Sequence, residues 1–214
     1  MFKRRKPRSY GQIASEMIYP RGGWRRAGTY VMHRLRRLPD RPHRIGRGVA
    51  AGVFVSFTPL FGFHFLSAAA VAWVIRGNIL AALLATFIGN PVTLPFIALV
   101  SVGFGREILG LPGRMSPHFI FREFSHASTE LWHNIGAAFG PEIAHWHRLA
   151  DFFAQIFWPY VVGGSILGLG VSVATHYLTV PIFIAYQKRR EKRMAARIAR
   201  FAESAAKRRA EGDR

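Results

Sequence analysis

Apolar positions along the chain fall into three long blocks, with stretches of helical periodicity around them. From Gly48 to Gly105 the only charged side chain is Arg76, which divides the stretch into two apolar arms. The first, Gly48–Ile75, is interrupted at Thr58-Pro59-Leu60-Phe61-Gly62. The second, Ile79–Gly105, is interrupted at Gly89-Asn90-Pro91, with Pro95 close behind. The third block, Trp158–Tyr186, carries no Asp, Glu, Lys or Arg and is bounded by Trp158, Tyr160 and Tyr186.

Elsewhere the spacing predicts amphipathic helices. Trp24, Ala27, Val31, Leu35 and Leu38 share one face, opposite Arg25, Arg26, Arg34, Arg36 and Arg37. This helix would lie on a membrane surface or pack on the protein's own body. Ile120, Phe124, Ala127, Leu131 and Ile135 predict a helix over 115–138. Gly140-Pro141 should end it and start a second helix running to Phe157. Met194, Ile198, Phe201 and Ala205 predict a basic amphipathic helix after Gln187. The expected class is an all-α integral membrane protein.

The breaks carry as much information as the apolarity. As one helix an arm would reach about 42 Å, against a hydrocarbon core of about 30 Å. Split at its break, each arm gives two segments of roughly 10 to 14 residues, about half a bilayer apiece. Proline removes a backbone donor and clashes with the preceding turn, so Pro59 and Pro91 should interrupt their helices. The freed backbone groups cannot face lipid. Two arrangements fit equally: kinked spans, or re-entrant half-helices like the discontinuous helices of transporters.

Charge placement bears on that choice. Of thirty Lys and Arg residues, fourteen lie in Met1–Arg47 and eleven in Lys188–Arg214. Basic flanks stay on the cytoplasmic side, so both termini are expected there. That requires an even number of crossings, and three candidate segments leave at least one arm re-entrant. The preferred arrangement makes Gly48–Ile75 re-entrant, Ile79–Gly105 a crossing and Trp158–Tyr186 the return. The expected division is a basic tail with an interfacial helix over 1–44 and a broken-helix core over 45–106. Extramembrane helices follow over 107–157, the transmembrane helix over 158–186 and a basic tail over 187–214. The net charge of +19 suits anionic headgroups. The basic run Met1–Arg8 carries nothing base-reading, so no nucleic-acid partner is expected. The chain has no cysteine, which removes thiol chemistry and Cys-based metal sites.

Ile45–Ala69, then Arg76-Gly77-Asn78, then Gly89-Asn90-Pro91-Val92-Thr93-Leu94-Pro95, resemble a bacterial membrane domain of unknown function, family 2062 of that series. The shared features are a small-residue helix, a Thr-Pro-x-x-Gly break, an Asn opening the second arm and an Asn-Pro-x-Thr-x-Pro break. The likeness covers about Pro42 to Leu111. It implies an inner-membrane protein without assigning a reaction, and the family's usual residue at His64 is Gln.

Thr58, Pro59, Gly62, His64, Asn78, Asn90, Pro91, Thr93 and Pro95 form the candidate membrane-embedded polar site. Its polar side chains would either cap the broken helices, the favoured reading, or hold a solute or headgroup. Glu123/His126, Glu130/His133 and Glu142/His145 each set a carboxylate and an imidazole three apart. Glu123, His126, Glu130 and His133 could form a metal-binding stripe, although weak helix-stabilising pairing is favoured. No cofactor is expected. Gly164-x-x-x-Gly168 offers a groove for close helix contact, with the chain's own arms or with a second copy.

The expected function is non-enzymatic handling of a small solute or lipid within the membrane. The alternative is a scaffold or accessory subunit of an envelope complex. A metal-dependent enzyme at the outer face is the weakest of the three.

Overall fold

The structure, a computed structural model, describes residues 23–113, 115–140 and 143–212. Met1–Arg8, Pro141 and Glu142 lie outside them. All regular structure among the described residues is helical.

Eight α-helices follow in order. They are α1 (Gly23–Arg36), α2 (Pro42–Ser56), α3 (His64–Val74), α4 (Ile79–Ala85), α5 (Leu94–Ile108), α6 (Pro117–Ala137), α7 (His147–Phe152) and α8 (Trp158–Gly212). A 3₁₀ turn, Thr86–Ile88, extends α4, and a π-helical stretch, Phe153–Phe157, joins α7 to α8. What the periodicity divided into an outer helix, a span and a basic helix is therefore one continuous rod from His147 onward.

Local chemistry explains the ends. Pro42 opens α2, where its missing N–H has no partner to lose. At its far end Phe57 and Thr58 close with short-range bonds to Phe54 and Val55, and Pro59 supplies no N–H to continue. Gly62 has φ +83°, which glycine adopts without strain, and the chain reverses there into α3. Ser116 caps α6 by accepting from the Phe119 N–H, ahead of Pro117 at the first turn.

α2 lies at the centre. Gly48, Gly52 and Ser56 line one face against α4: added Cβ atoms on the two glycines would sit 2.2 Å from the Asn78 and Ala82 carbonyl oxygens. Ser56 Oγ donates to the Thr86 carbonyl one turn further on. Those pairings run in step, so α2 and α4 are parallel. α3 returns antiparallel to α2: the Asn78 N–H donates to the Arg44 carbonyl, and Arg47 Nη2 donates to the Arg76 carbonyl. The first arm is thus a hairpin whose two ends lie side by side. Ala51 and Val55 of α2 meet Ala68 and Ala72 of α3 and Ala82 of α4 inside it.

α8 runs antiparallel to both α2 and α5. Gly46 meets Val180 and His176, while Phe57 meets Gly164 and Gly168. On the other side Gly105 meets Pro159, and Gly163 meets Ser101 and Gly105. Consequently α4 and α5 point the same way along α8, with the second break between them. The two arms share a sequence pattern and differ in shape: the first folds back, the second continues.

The Gly164/Gly168 groove is occupied by Phe54 and Phe57 of the same chain. α1 packs through Val31 and Leu35, with Leu38 just beyond it, against Ile45 and Phe183, which makes it partly a helix on the protein's own body. In α6, Ile120 and Ala127 are buried against α5, α7 and α8, but Leu131 and Ile135 are exposed.

Candidate functional site

The second break satisfies itself. Asn90 Oδ1 accepts from the N–H groups of Val92 (2.9 Å) and Thr93 (3.1 Å), and Asn90 Nδ2 donates to the Phe87 and Ile88 carbonyls. Thr93 Oγ1 accepts from the Asn90 N–H and donates to the Ile88 carbonyl. Pro91 and Pro95 remove two further donors from the turn. Asn90→Leu is therefore expected to destabilise the protein by about 1–2 kcal/mol, and Asn90→Asp by less because it keeps the acceptor. Thermal unfolding followed by size-exclusion chromatography in detergent measures both.

The first break is less complete. Thr58 Oγ1 donates back to the Val55 carbonyl at 2.7 Å, and Thr58 and Pro59 are buried. His64 Nε2 and the Tyr160 hydroxyl are buried without a hydrogen-bond partner. Phe61 stands between them, its ring centroid 5.7 Å from His64 and 6.1 Å from Tyr160.

Asn78 lies away from both breaks, at the opposite end of α2 and α4. Its Oδ1 caps α4 by accepting from the Ala81 N–H, and its Nδ2 donates to Asp40 Oδ2 at 2.9 Å. Asp40 Oδ1 accepts from the Arg41 N–H and from Arg44. Gln187 of α8 donates to the Asp40 carbonyl at 2.9 Å. This network ties α2, α4 and α8 together at one end. Burial pushes the Asp40 carboxyl up, but donation from Asn78 and the Arg41 N–H, with Arg44 and Arg41 alongside, outweighs it and holds Asp40 below the usual carboxylate range. A lowered pKa contributes stability above the unfolded value, near pH ~4, that is lost as pH falls through the folded one. Asp40→Asn should accordingly flatten the acid side of the melting-temperature profile, measured from pH 7 down to pH 3.

Between Asn78, Trp73 and Arg44 lies an open depression of about 390 Å³, lined also by Arg76, Ile79 and Leu80. Arg76 has φ +53°, the only positive value at a non-glycine among the described residues.

At the other end of the bundle Arg106 is buried and, among the described residues, donates to oxygens of uncharged groups. Its Nη1 bonds the Gln155 carbonyl and side-chain oxygen, both at 3.0 Å, and its Nη2 bonds the Pro112 carbonyl at 2.6 Å. Gln155 sits in the π-helical turn, and its carbonyl has no α-helical donor because the residue four positions on is Pro159, which lacks an N–H. Sequence spacing gave no sign of this clamp; Arg106 reads simply as a basic residue ending an apolar arm.

The Glu/His stripe on α6 does not converge. Glu130 accepts from the N–H groups of Arg148 and Leu149 and so caps α7. Glu123 lies 3.9 Å from His126, and the His133 and His145 rings are 6.1 Å apart. Among the described residues no three His, Asp or Glu side chains group as metal ligands would. Glu142, partner of His145 in the third doublet, lies outside those residues.

No curated protein and no solved structure matched the chain. A family model does match, over residues 25–192, which reaches from α1 through the central helices into the basic part of α8. The chain therefore belongs to the DUF2062 family, described as an uncharacterized protein conserved in bacteria.

Proposed function

We propose that this protein is an integral component of the bacterial inner membrane, with no catalytic role, whose embedded body handles lipid. In this reading α2–α3 enters from the cytoplasmic face and returns to it. α4–α5 crosses as a broken helix, the first half of α8 crosses back, and both termini are cytoplasmic.

The distribution of side-chain sizes carries the reading. Buried contacts between helices are made by Gly48, Gly52, Ala72, Ala82, Gly105 and Gly163. Leu66, Trp73, Val74, Phe96, Tyr177 and Leu178 point outward, each at least 68 % exposed. Water favours the opposite arrangement, with large apolar groups inside. Lipid permits this one, because helices there associate through close backbone approach. From the Arg106 clamp at Gln155 to the Asp40 network at Gln187, the continuous rod of π-helical turn and α8 rises roughly 48 Å, comparable to a bilayer of about 40–45 Å with its headgroups.

Lipid handling is preferred to solute passage because the polar groups of the second break are consumed by their own backbone. A scaffolding role has one supporting observation: Met194, Ile198 and Phe201 on the basic part of α8 remain uncovered. Extraction of cell membranes at alkaline pH tests the location. The protein is expected to stay in the pellet and to be released only by detergent; release by alkali alone contradicts the proposal.

A further inference from the structure

We infer that the depression beside Arg76 binds the phosphodiester of an anionic phospholipid from the cytoplasmic leaflet. This rests on the membrane location proposed above.

Two arginines from separate segments line it, and a third, Arg47, stands beside them. Arg44 and Arg47 come from the first turns of α2, and Arg76 from the end of α3. Arg47 Nη2 donates to the Arg76 carbonyl at 3.0 Å, and Arg44 and Arg76 both line the depression. One acid is near. Asp40 pairs with Arg44 at 3.3 Å and is otherwise taken up by Asn78 and the Arg41 N–H. That leaves an excess of positive charge, and the Arg76 side chain has no partner among the described residues.

Arg76 occupies an unusual position. The Gly77 N–H bonds the Ala72 carbonyl and the Arg76 N–H bonds the Trp73 carbonyl, which is the Schellman closure of a helix. Its left-handed residue is glycine by default, because a Cβ is disfavoured there. The chain places arginine at that point and glycine one residue later, where the Gly48 backbone comes too close for a side chain. A strained backbone at a charged, unpaired residue points to a role for the side chain.

The surroundings favour lipid over free phosphate. Trp73 is 74 % exposed and Leu80 59 % exposed, so an apolar wall leads from the arginines along α3 and α4. Arginine forks match phosphate oxygens, tryptophan settles at the headgroup level, and the wall would receive acyl chain. Inorganic phosphate would leave that wall unused. Excess positive charge also disfavours lipids whose headgroup carries a cation.

The full chain, purified in detergent, is titrated with phosphatidylglycerol and with phosphatidylcholine, and bound lipid is counted by native mass spectrometry. Arg44→Gln/Arg76→Gly is expected to weaken phosphatidylglycerol binding by roughly thirtyfold, given the contribution of each of two basic residues near an anionic surface. Arg76→Gly relieves the backbone, whereas Arg44→Gln removes one donor to Asp40. The melting temperature of the double variant and of Arg76→Gly alone is therefore measured beside binding, and binding lost at an unchanged melting temperature is the expected result. Arg189→Gln/Arg190→Gln, which removes equal charge from the tail, should change it less than threefold. Phosphatidylcholine binding should be weaker throughout and insensitive to the arginines. The inference is overturned if the two double variants behave alike, or if millimolar inorganic phosphate displaces the lipid. Alkaline release of the protein would instead sink the location on which it rests.

Discussion

Leucine at Gly105 or Gly163 is expected to eliminate the folded protein. A Cβ on Gly105 would lie 1.8 Å from the Pro159 carbonyl oxygen, and one on Gly163 would lie 2.0 Å from the Ser101 carbonyl oxygen. Both obstacles are backbone, which no rotamer change can move. Overpacking a core by side-chain atoms costs about 1–3 kcal/mol, and forcing two helix backbones apart exceeds that range. The contact also joins α5 to α8, so its loss detaches the far half of the second arm. Gly103, two residues away on α5, has nothing within 4 Å of the same added atom. Gly103→Ala should leave the melting temperature unchanged or slightly raise it through helix propensity. Detergent-solubilised yield and size-exclusion profile after heating separate the two outcomes.

Replacing Arg106 by Met should cost about 3 kcal/mol or more. Hydrogen bonds from a charged donor contribute about 1.5–3 kcal/mol each, and several oxygens lose a donor together. Those oxygens belong to Pro112, Gly113 and Gln155, so the variant loosens the link from α5 to α6 and its tie to the π-helical turn. Arg106→Lys keeps the charge but lacks the fork, and should recover less than half of the loss. If Lys performs as well as Arg, charge alone matters and the clamp described here is wrong.

The helices and their interruptions were legible because proline, glycine and asparagine act locally. Pro59 and the Asn90–Thr93 turn end helices through bonds within a few residues, which spacing can reveal. The difference between the arms was not legible in that way. Both are apolar runs with a central break, and only contacts about thirty residues apart, such as Gly48 with Asn78 and Gly52 with Ala82, turn the first into a hairpin. The distribution of basic residues was the sequence's one indication of that difference.

The same limit applies to the candidate site. Asn78 was grouped with the breaks because it opens the second arm, whereas the fold carries it to Asp40 and Gln187. Glu130 fitted a metal pattern by spacing and serves α7 as a cap. Arg76 stood out as the sole charge in the apolar middle, but its company of Arg44 and Arg47 depends on the hairpin closing.

The absence of cysteine from the chain makes the central claim directly measurable. Single cysteines at Ile75, Leu109 and Ser204, at the hairpin's return, after the broken crossing and on the basic part of α8, are probed with an impermeant maleimide on spheroplasts. Labelling of Leu109→Cys on intact spheroplasts, with Ile75→Cys and Ser204→Cys reacting only after permeabilisation, is the predicted result. Labelling of Ile75→Cys from outside would mean that the first arm crosses the membrane, and the arrangement proposed here would be wrong.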